Sequence, residues 1–338
     1  MTHLTVLSRE HDAQRTPPAH PVGWYVVAFS DELAKGDVLT RKLAGQELVL
    51  FRTSGGEVAA TRAHCPHLGA HLGHGGEVVG DTLRCPFHRF RFDTTGACVE
   101  GYPGKKVPPA CRMTMLHVQE KNGTIVVFWH PAGEAPDWEV PELEQEGWRP
   151  LRHVCLPLSG HPQECSENSV DFGHFAAVHG YGGCEEVVPA HVEGRLLHAK
   201  YDMERRRPLQ PVVKTSFELW VWGLGYSIVS TGADRFGVSL RTFVLPCPTD
   251  DGRVDLRLAI SLKHLKSSRD VHPLARFVPK GALERVLEEA SLKAYVDDVK
   301  QDFAIWENKA YLDKPRLAAG DGPVGLYRKY ARQFYPGS

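Results

Sequence analysis

Two short stretches of the chain carry the same pair of metal-binding side chains. Cys65 and His67 flank one proline, and Cys85 and His88 flank a proline and a phenylalanine, giving C-x-H-x17-C-x-x-H. Each stretch offers one thiolate and one imidazole. Structural zinc sites usually pair cysteine with cysteine and histidine with histidine, so this alternation is unusual for zinc. A two-iron cluster of mixed ligation explains it. Two thiolates hold one iron and two imidazoles the other, so each loop must supply one of each. Gly69, Gly73, Gly75 and Gly76 lie between the stretches and let the second loop fold back over the first.

The pattern resembles the Rieske family, which implies a [2Fe–2S] cluster on Cys65, His67, Cys85 and His88. High-potential respiratory members carry an extra cysteine in each loop; Ala70 and Phe87 occupy those positions here. Respiratory members also place a serine and a tyrosine hydroxyl near the cluster, where this chain has Phe90 and Phe92. Hydroxyl donors to the cluster sulfurs stabilise the reduced form, so without them the potential falls. The resemblance therefore implies a low-potential electron donor.

A second group lies in ENSVDFGHFAAVHG, residues 167–180, where Asp171, His174 and His179 follow D-x2-H-x4-H. Two histidines five apart are common without a metal, and a regular helix sets them about 140° apart. They converge only where the helix widens or ends; Gly180 and the Tyr-Gly-Gly after it favour an ending. Together with the upstream loops, the segment resembles the Rieske non-haem iron oxygenases. Their motif N/E-x-x-D-x-x-H-x4-H stands here as Asn168, Asp171, His174 and His179. The resemblance implies that His174 and His179 are two ligands of a mononuclear Fe(II), completed by one carboxylate, with open positions for O2 beside substrate. It places that carboxylate in the C-terminal helix, where KAYVDDVKQDFAIWENK offers Asp297, Asp298 and Asp302. Asp297 has Lys293, Lys300 and Gln301 as helical neighbours, a solvated face. Asp302 lies between Val299 and Ile305–Trp306 on an apolar stripe, where a carboxylate is costly unless a cation compensates. Asp298 is intermediate, and Asp302 is favoured. Family members assemble as rings in which one subunit's cluster faces the next subunit's iron. By that resemblance Asp171 bridges His174 to His88 of the neighbouring subunit, within a homotrimer.

The elements that must position these residues divide in two. GWYVVAF, ELVLFRT, EVAATRA, TLRCPF, FRFDTTGACV and GTIVVFW are short β-rich runs separated by turn residues. After the Pro- and acid-rich segment 131–147, a helical stretch over 165–179 precedes long strands such as SFELWVWGLGYSIVS and RVDLRLAISLKHL. A long amphipathic helix follows over 281–309. The expected fold is α+β: an extension over 1–20, an all-β Rieske domain over 21–135, and a helix-grip catalytic domain over 136–338, with an antiparallel sheet and a long helix.

At 338 residues with a formal net charge of −1, the chain shows no basic stripe for nucleic acid and no run long enough to span a membrane. Residues 1–20 lack the apolar centre of a signal peptide, and eight irregularly spaced cysteines do not form a secreted disulfide framework. A cytoplasmic location is expected. No dinucleotide-binding G-x-G-x-x-G follows a strand and no plant-type ferredoxin spacing occurs, so electrons must come from a separate NAD(P)H-dependent reductase or ferredoxin.

From GWYVVAF to GDGPVGLYRKYARQFYP the chain is similar to the short oxygenases. These include 3-ketosteroid 9α-hydroxylases, cholesterol 7-desaturases and saxitoxin-pathway hydroxylases. IWENK, GDGP and RQFYP resemble the desaturase branch somewhat more. This implies O2-dependent hydroxylation or desaturation of a hydrophobic polycyclic substrate, a steroid or sterol. An alkaloid or aromatic substrate is the alternative within the class. A non-catalytic Rieske carrier with a lipid-binding domain is the alternative outside it; that protein would need no second iron.

Overall fold

Runs rich in β-branched and aromatic residues build ten short strands in the first part of the chain: β1 (Gly23–Phe29), β2 (Val38–Leu43), β3 (Gln46–Arg52), β4 (Val58–Arg62), β5 (Glu77–Val79), β6 (Thr82–Arg84), β7 (Arg91–Phe92), β8 (Cys98–Glu100), β9 (Val118–Lys121) and β10 (Thr124–Trp129). The computed structural model describes residues 19–205, 212–233 and 238–335, so most of the expected 1–20 extension lies outside the described residues. The strands form three sheets ordered β1-β10-β9, β2-β3-β4 and β5-β6-β7-β8. β3 sits between two cores. Leu48 and Leu50 face Tyr25, Val27, Ile125 and Val127, while Val49 and Phe51 face Leu72, Leu83 and Phe92. The period of two thus buries both faces of one strand.

The chain divides into compact units comprising 21–145 with 247–251, and the remainder. The division falls between Gln145 and Glu146 rather than at 135/136. Segment 136–145 has polar contacts with the first unit that its Pro-rich composition conceals. Trp24 Nε1 donates to Trp138 O at 2.8 Å, Lys121 pairs with Glu139 at 2.8 Å, and Asn122 Nδ2 donates to Pro141 O at 2.9 Å.

The second unit is built on β11 (Arg152–Ser159), β12 (Tyr181–Glu193), β13 (Leu196–Arg205), β14 (Val213–Trp222), β15 (Tyr226–Ala233), β16 (Val238–Asp250) and β17 (Arg253–Leu262). They form one sheet ordered β11-β17-β16-β15-β14-β13-β12. SFELWVWGLGYSIVS is two strands, a hairpin closing with Trp222 opposite Tyr226. Around the sheet lie α1 (Pro162–Glu167), α2 (Phe172–Ala177), α3 (Lys280–Val299), α4 (Phe303–Trp306) and α5 (Val324–Arg332).

Two expected helices are broken. The 165–179 stretch becomes α1, a 3-10 turn over Asn168–Val170, and α2, because Asp171 leaves helical dihedrals (φ −91°, ψ 96°) to cap α2. The 281–309 helix ends at Val299, and a 3-10 turn over Lys300–Asp302 leads into α4. Nor is α3 simply amphipathic, since its two fully buried side chains are Glu284 and Glu288. Arg149 compensates them, with Nε 2.5 Å from Glu288 and Nη1 3.0 Å from Glu284. Toward its C-terminal end α3 does turn apolar residues inward. Tyr295, Val296 and Val299 pack with Trp306 against Leu156, Leu256 and Leu258 of the sheet.

The C-terminal helix α5 braces the segment 162–172. Arg328 grips both carboxylate oxygens of Glu167 at 2.7 and 3.0 Å, and Tyr327 Oη donates to Gln163 O at 2.9 Å. Before it, a Cβ on Gly322 would lie 2.4 Å from Val170 O, and its φ of +79° is left-handed, so only glycine fits where GDGP meets the turn before α2. No helix among the described residues is long and apolar enough to cross a membrane.

Candidate metal centres and cavity

The two Cys–His loops have matching backbone folds. Cys65 N donates to Ala70 O and Gly69 N to Cys65 O; twenty residues on, Cys85 N donates to Phe90 O and Arg89 N to Cys85 O. Gly69 and Arg89, four after each cysteine, both take left-handed φ, 75° and 64°. The cysteines are buried, and the imidazoles of His67 and His88 meet edge-on with centroids 4.6 Å apart. Burial, with the neighbouring Cys85 thiol adding to it, pushes Cys65 up to about 12. Such a thiol keeps its proton at neutral pH unless a cation displaces it. His67 Nδ1 is buried without a hydrogen-bond partner among the described residues. Paired thiols, adjacent imidazoles and that orphaned nitrogen fit a mixed-ligand iron–sulfur cluster.

Phe90 stacks on His67 at 4.5 Å with ring planes 9° apart, and Phe92 is fully buried in the core beneath. The residue that sequence reasoning missed is Tyr102. Its ring stands edge-on to both His67 and His88, 6.0 Å from each. It reaches them from an exposed loop, and no spacing rule links it to the motif.

In the second unit, α2 ends at Ala177 and Gly180 follows with φ 68°, so His174 lies in the helix and His179 just past its end. The break cancels the angular separation that a continuous helix would impose. His174 Nε2 lies 2.7 Å from Asp302 Oδ1, and His179 Nε2 lies 3.4 Å from Asp302 Oδ2. Ligand-type atoms of the three residues all fall within 4.8 Å of one another. Burial pushes Asp302 up, but hydrogen bonds from His174 and His179 outweigh it and hold the carboxyl below its usual value. Two imidazoles and one ionised, buried carboxylate make a donor set suited to Fe(II).

The other candidates separate clearly. Asn168 Nδ2 lies 3.2 Å from His174 Nε2. Asp297 is exposed, paired with Lys293 at 2.7 Å. Asp298 forms two 2.9 Å hydrogen bonds with Arg205. Asp171 accepts the backbone N–H of His174 at 2.9 Å as the α2 N-cap, while the buried Nδ1 of His174 has no partner among the described residues.

A cavity of about 390 Å³ opens beside His174, His179 and Asp302. Phe217, Leu219 and Val229 line it from the sheet and Tyr295 from α3, with the Arg205–Asp298 pair also on its wall. Of the aromatics in SFELWVWGLGYSIVS, Phe217 faces the cavity; Trp220 stacks on His198 instead.

Residues 23–112 match the Rieske [2Fe-2S] domain family and residues 127–335 the 3-ketosteroid 9α-hydroxylase C-terminal domain family. A cholesterol 7-desaturase of Bombyx mori is 30% identical over 95% of this chain and 71% of its own length. The oxygenase component of a Rhodococcus rhodochrous 3-ketosteroid-9-alpha-monooxygenase is 28% identical over 97% and 84%. Among solved structures, dicamba monooxygenase bound to dicamba superposes with a TM-score of 0.70 at 20% identity, covering 92% of this chain and 96% of the other. The Pseudomonas putida CBB5 protein NdmA with caffeine gives 0.69 at 21%, covering 91% and 89%. With a Rieske domain and a catalytic domain of matching family, the chain belongs to the Rieske non-haem iron oxygenases, as an oxygenase component of the 3-ketosteroid 9α-hydroxylase and cholesterol 7-desaturase group.

Proposed function

We propose that the protein oxidises a C–H bond of a steroid or sterol, adding one oxygen atom or removing two hydrogens, with electrons from a separate reductase. The observation that carries this reading is the convergence of two imidazoles and a buried carboxylate beside a largely apolar cavity. Its relatives bear names that include cholesterol and 3-ketosteroid. Cys65, His67, Cys85 and His88 would hold the [2Fe–2S] cluster, and His174, His179 and Asp302 the mononuclear iron. When bound, the two groups together supply one-electron delivery and O2 activation. The chain's own contribution is positional. Asp302 stays ionised between the two Nε2 atoms, α5 braces the segment that leads into α2, and Phe217, Leu219 and Tyr295 exclude water and present an apolar face to the substrate.

We further assign the protein to a head-to-tail homotrimer in the cytoplasm, with Asp171 linking His174 to His88 of the neighbouring subunit. The Nδ1 of His174, which has no partner among the described residues and lies three residues from Asp171, supports the link, and the irregular spacing of eight cysteines suits a reducing compartment. The test is reconstitution with iron and sulfide, followed by turnover with NADH and a surrogate reductase across sterols, ketosteroids, aromatics and alkaloids. Oxidised sterol or ketosteroid is expected, with about three irons per chain. Turnover of aromatics or alkaloids alone would move the substrate class, and about two irons per chain without turnover would mark an electron carrier.

A further inference from the structure

Beside the cluster loops, the first unit holds a second pair of thiols. Cys98 opens β8, and Cys111 belongs to the segment that returns alongside it. Met113 N donates to Gly96 O at 2.8 Å, and Ala97 bridges Arg112 in antiparallel fashion. The bridge is isolated, and Cys98 and Cys111 are the residues that flank it on one side. Residues directly opposed across an antiparallel pair hold their Cβ atoms about 4.5–5.5 Å apart, at the edge of what a disulfide spans. The two thiols interact, although burial raises the Cys98 thiol to about 11 and its Sγ also donates to Glu100 O at 3.4 Å, so Cys111 is the sulfur that attacks first. Both pack, half-buried, on the core that contains Cys65, Cys85 and Phe90, and both are free. The chain between them carries Tyr102, whose ring contacts His67, His88 and Phe90, and also the exposed Lys105 and Lys106.

We propose that Cys98 and Cys111 form a reversible dithiol–disulfide pair, closed by hydrogen peroxide, which ties together the ends of the loop lying over the cluster histidines. One peroxide suffices for the balance. The first sulfur attacks the O–O bond, becoming a sulfenic acid and releasing water. The second thiol then attacks that sulfur, forming the S–S bond and releasing a second water. The two sulfurs together lose two electrons, which the peroxide oxygens gain. A dithiol reductant returns both thiols. Hydrogen peroxide is the two-electron reduction product of O2, the oxidant this class of enzyme consumes. A transient, responsive disulfide of this kind is also the sort a reducing compartment tolerates.

The test treats the cluster-loaded protein with hydrogen peroxide, blocks remaining thiols with N-ethylmaleimide and digests without reduction. Mass spectrometry should find the Cys98 and Cys111 peptides linked, lighter by two hydrogens, and separable by dithiothreitol. Tryptic cleavage after Lys105 and Lys106 should slow several-fold on oxidation. Both effects should vanish in Cys98→Ser, and equally in Cys111→Ser should the first variant fold poorly. Two results would overturn the pairing: both thiols staying open to maleimide at doses that oxidise the exposed Cys155, or each passing to sulfinic acid unlinked. Linkage that leaves tryptic cleavage unchanged would overturn the tie on the loop.

Discussion

Asp297, Asp298 and Asp302 are one residue type on one short segment, yet their surroundings give them three different tasks. The exposed Lys293 partner of Asp297 makes its substitution inconsequential, because a solvated i,i+4 pair contributes little. Asp298 spends both carboxylate oxygens on Arg205, so Asp298→Asn should keep the iron and alter substrate affinity. Asp302→Ala removes the only one of these carboxylates facing both imidazoles; mononuclear iron and turnover should be lost while the cluster spectrum stays intact. Iron analysis with visible spectroscopy on the three variants checks this, and iron lost from Asp297→Ala would sink the assignment. At the cluster, Phe90 places an aromatic face rather than a hydroxyl against His67. The midpoint potential should therefore lie near the low end of the Rieske range, roughly −150 mV; a value of about +250 mV would contradict the reading of Phe90 and Phe92.

At the scale of elements, α3 is held by charge as much as by apolar contact. Glu284 and Glu288 are buried and depend on Arg149; His264 Nδ1 lies 3.2 Å from Glu284, and Leu265 N–H donates to it at 3.0 Å. Burial pushes Glu284 up, but His264, the Leu265 N–H and Arg149 together hold it below the usual carboxylate range. A depressed folded-state value means that this stabilisation is present above the unfolded carboxylate value and is lost as pH falls through the lowered one. Arg149→Met leaves Glu284 only His264 and the Leu265 N–H, and Glu288 only Arg152 at 3.8 Å, and should cost about 3–5 kcal/mol by urea denaturation. Replacing all three members with apolar residues should recover most of that loss, since a buried ion network rarely outperforms a packed apolar one. A triple variant as unstable as the single one would show that the network does more than neutralise itself.

For the proposed trimer the informative substitution is Asp171→Asn. Asparagine caps a helix as well as aspartate does, so α2 should persist and His174 should stay in place. Asp171→Ala, by contrast, should also cost about 1 kcal/mol of capping. In Asp171→Asn both metals should assemble and the reductase should still reduce the cluster. Oxidation of the reduced cluster by O2 with substrate bound should fail in a single turnover. Normal cluster oxidation would remove Asp171 from the electron path and weaken the case for a trimer; activity lost through missing iron alone would confine it to supporting His174.

How much of this was legible in the residues depends on the range of the interaction. The Cys–His loops are local: four residues of two ligand types, and their spacing, point to a mixed-ligand cluster before any contact is known. The ending of α2 before His179 was legible for the same reason, since Gly180 and the residues after it act within one turn. Three things were not local. Tyr102 reaches the cluster histidines through the path of a loop that no periodicity encodes. The buried face of α3 is acidic because Arg149, far away in sequence, supplies the compensating charge. Helical phasing ranked Asp302 above its neighbours, but the convergence of Asp302 with His174 and His179, and the pairing of Asp298 with Arg205, were decided by tertiary packing. Local chemistry is written in short spacings, whereas the company a buried charge keeps is settled only when distant segments meet.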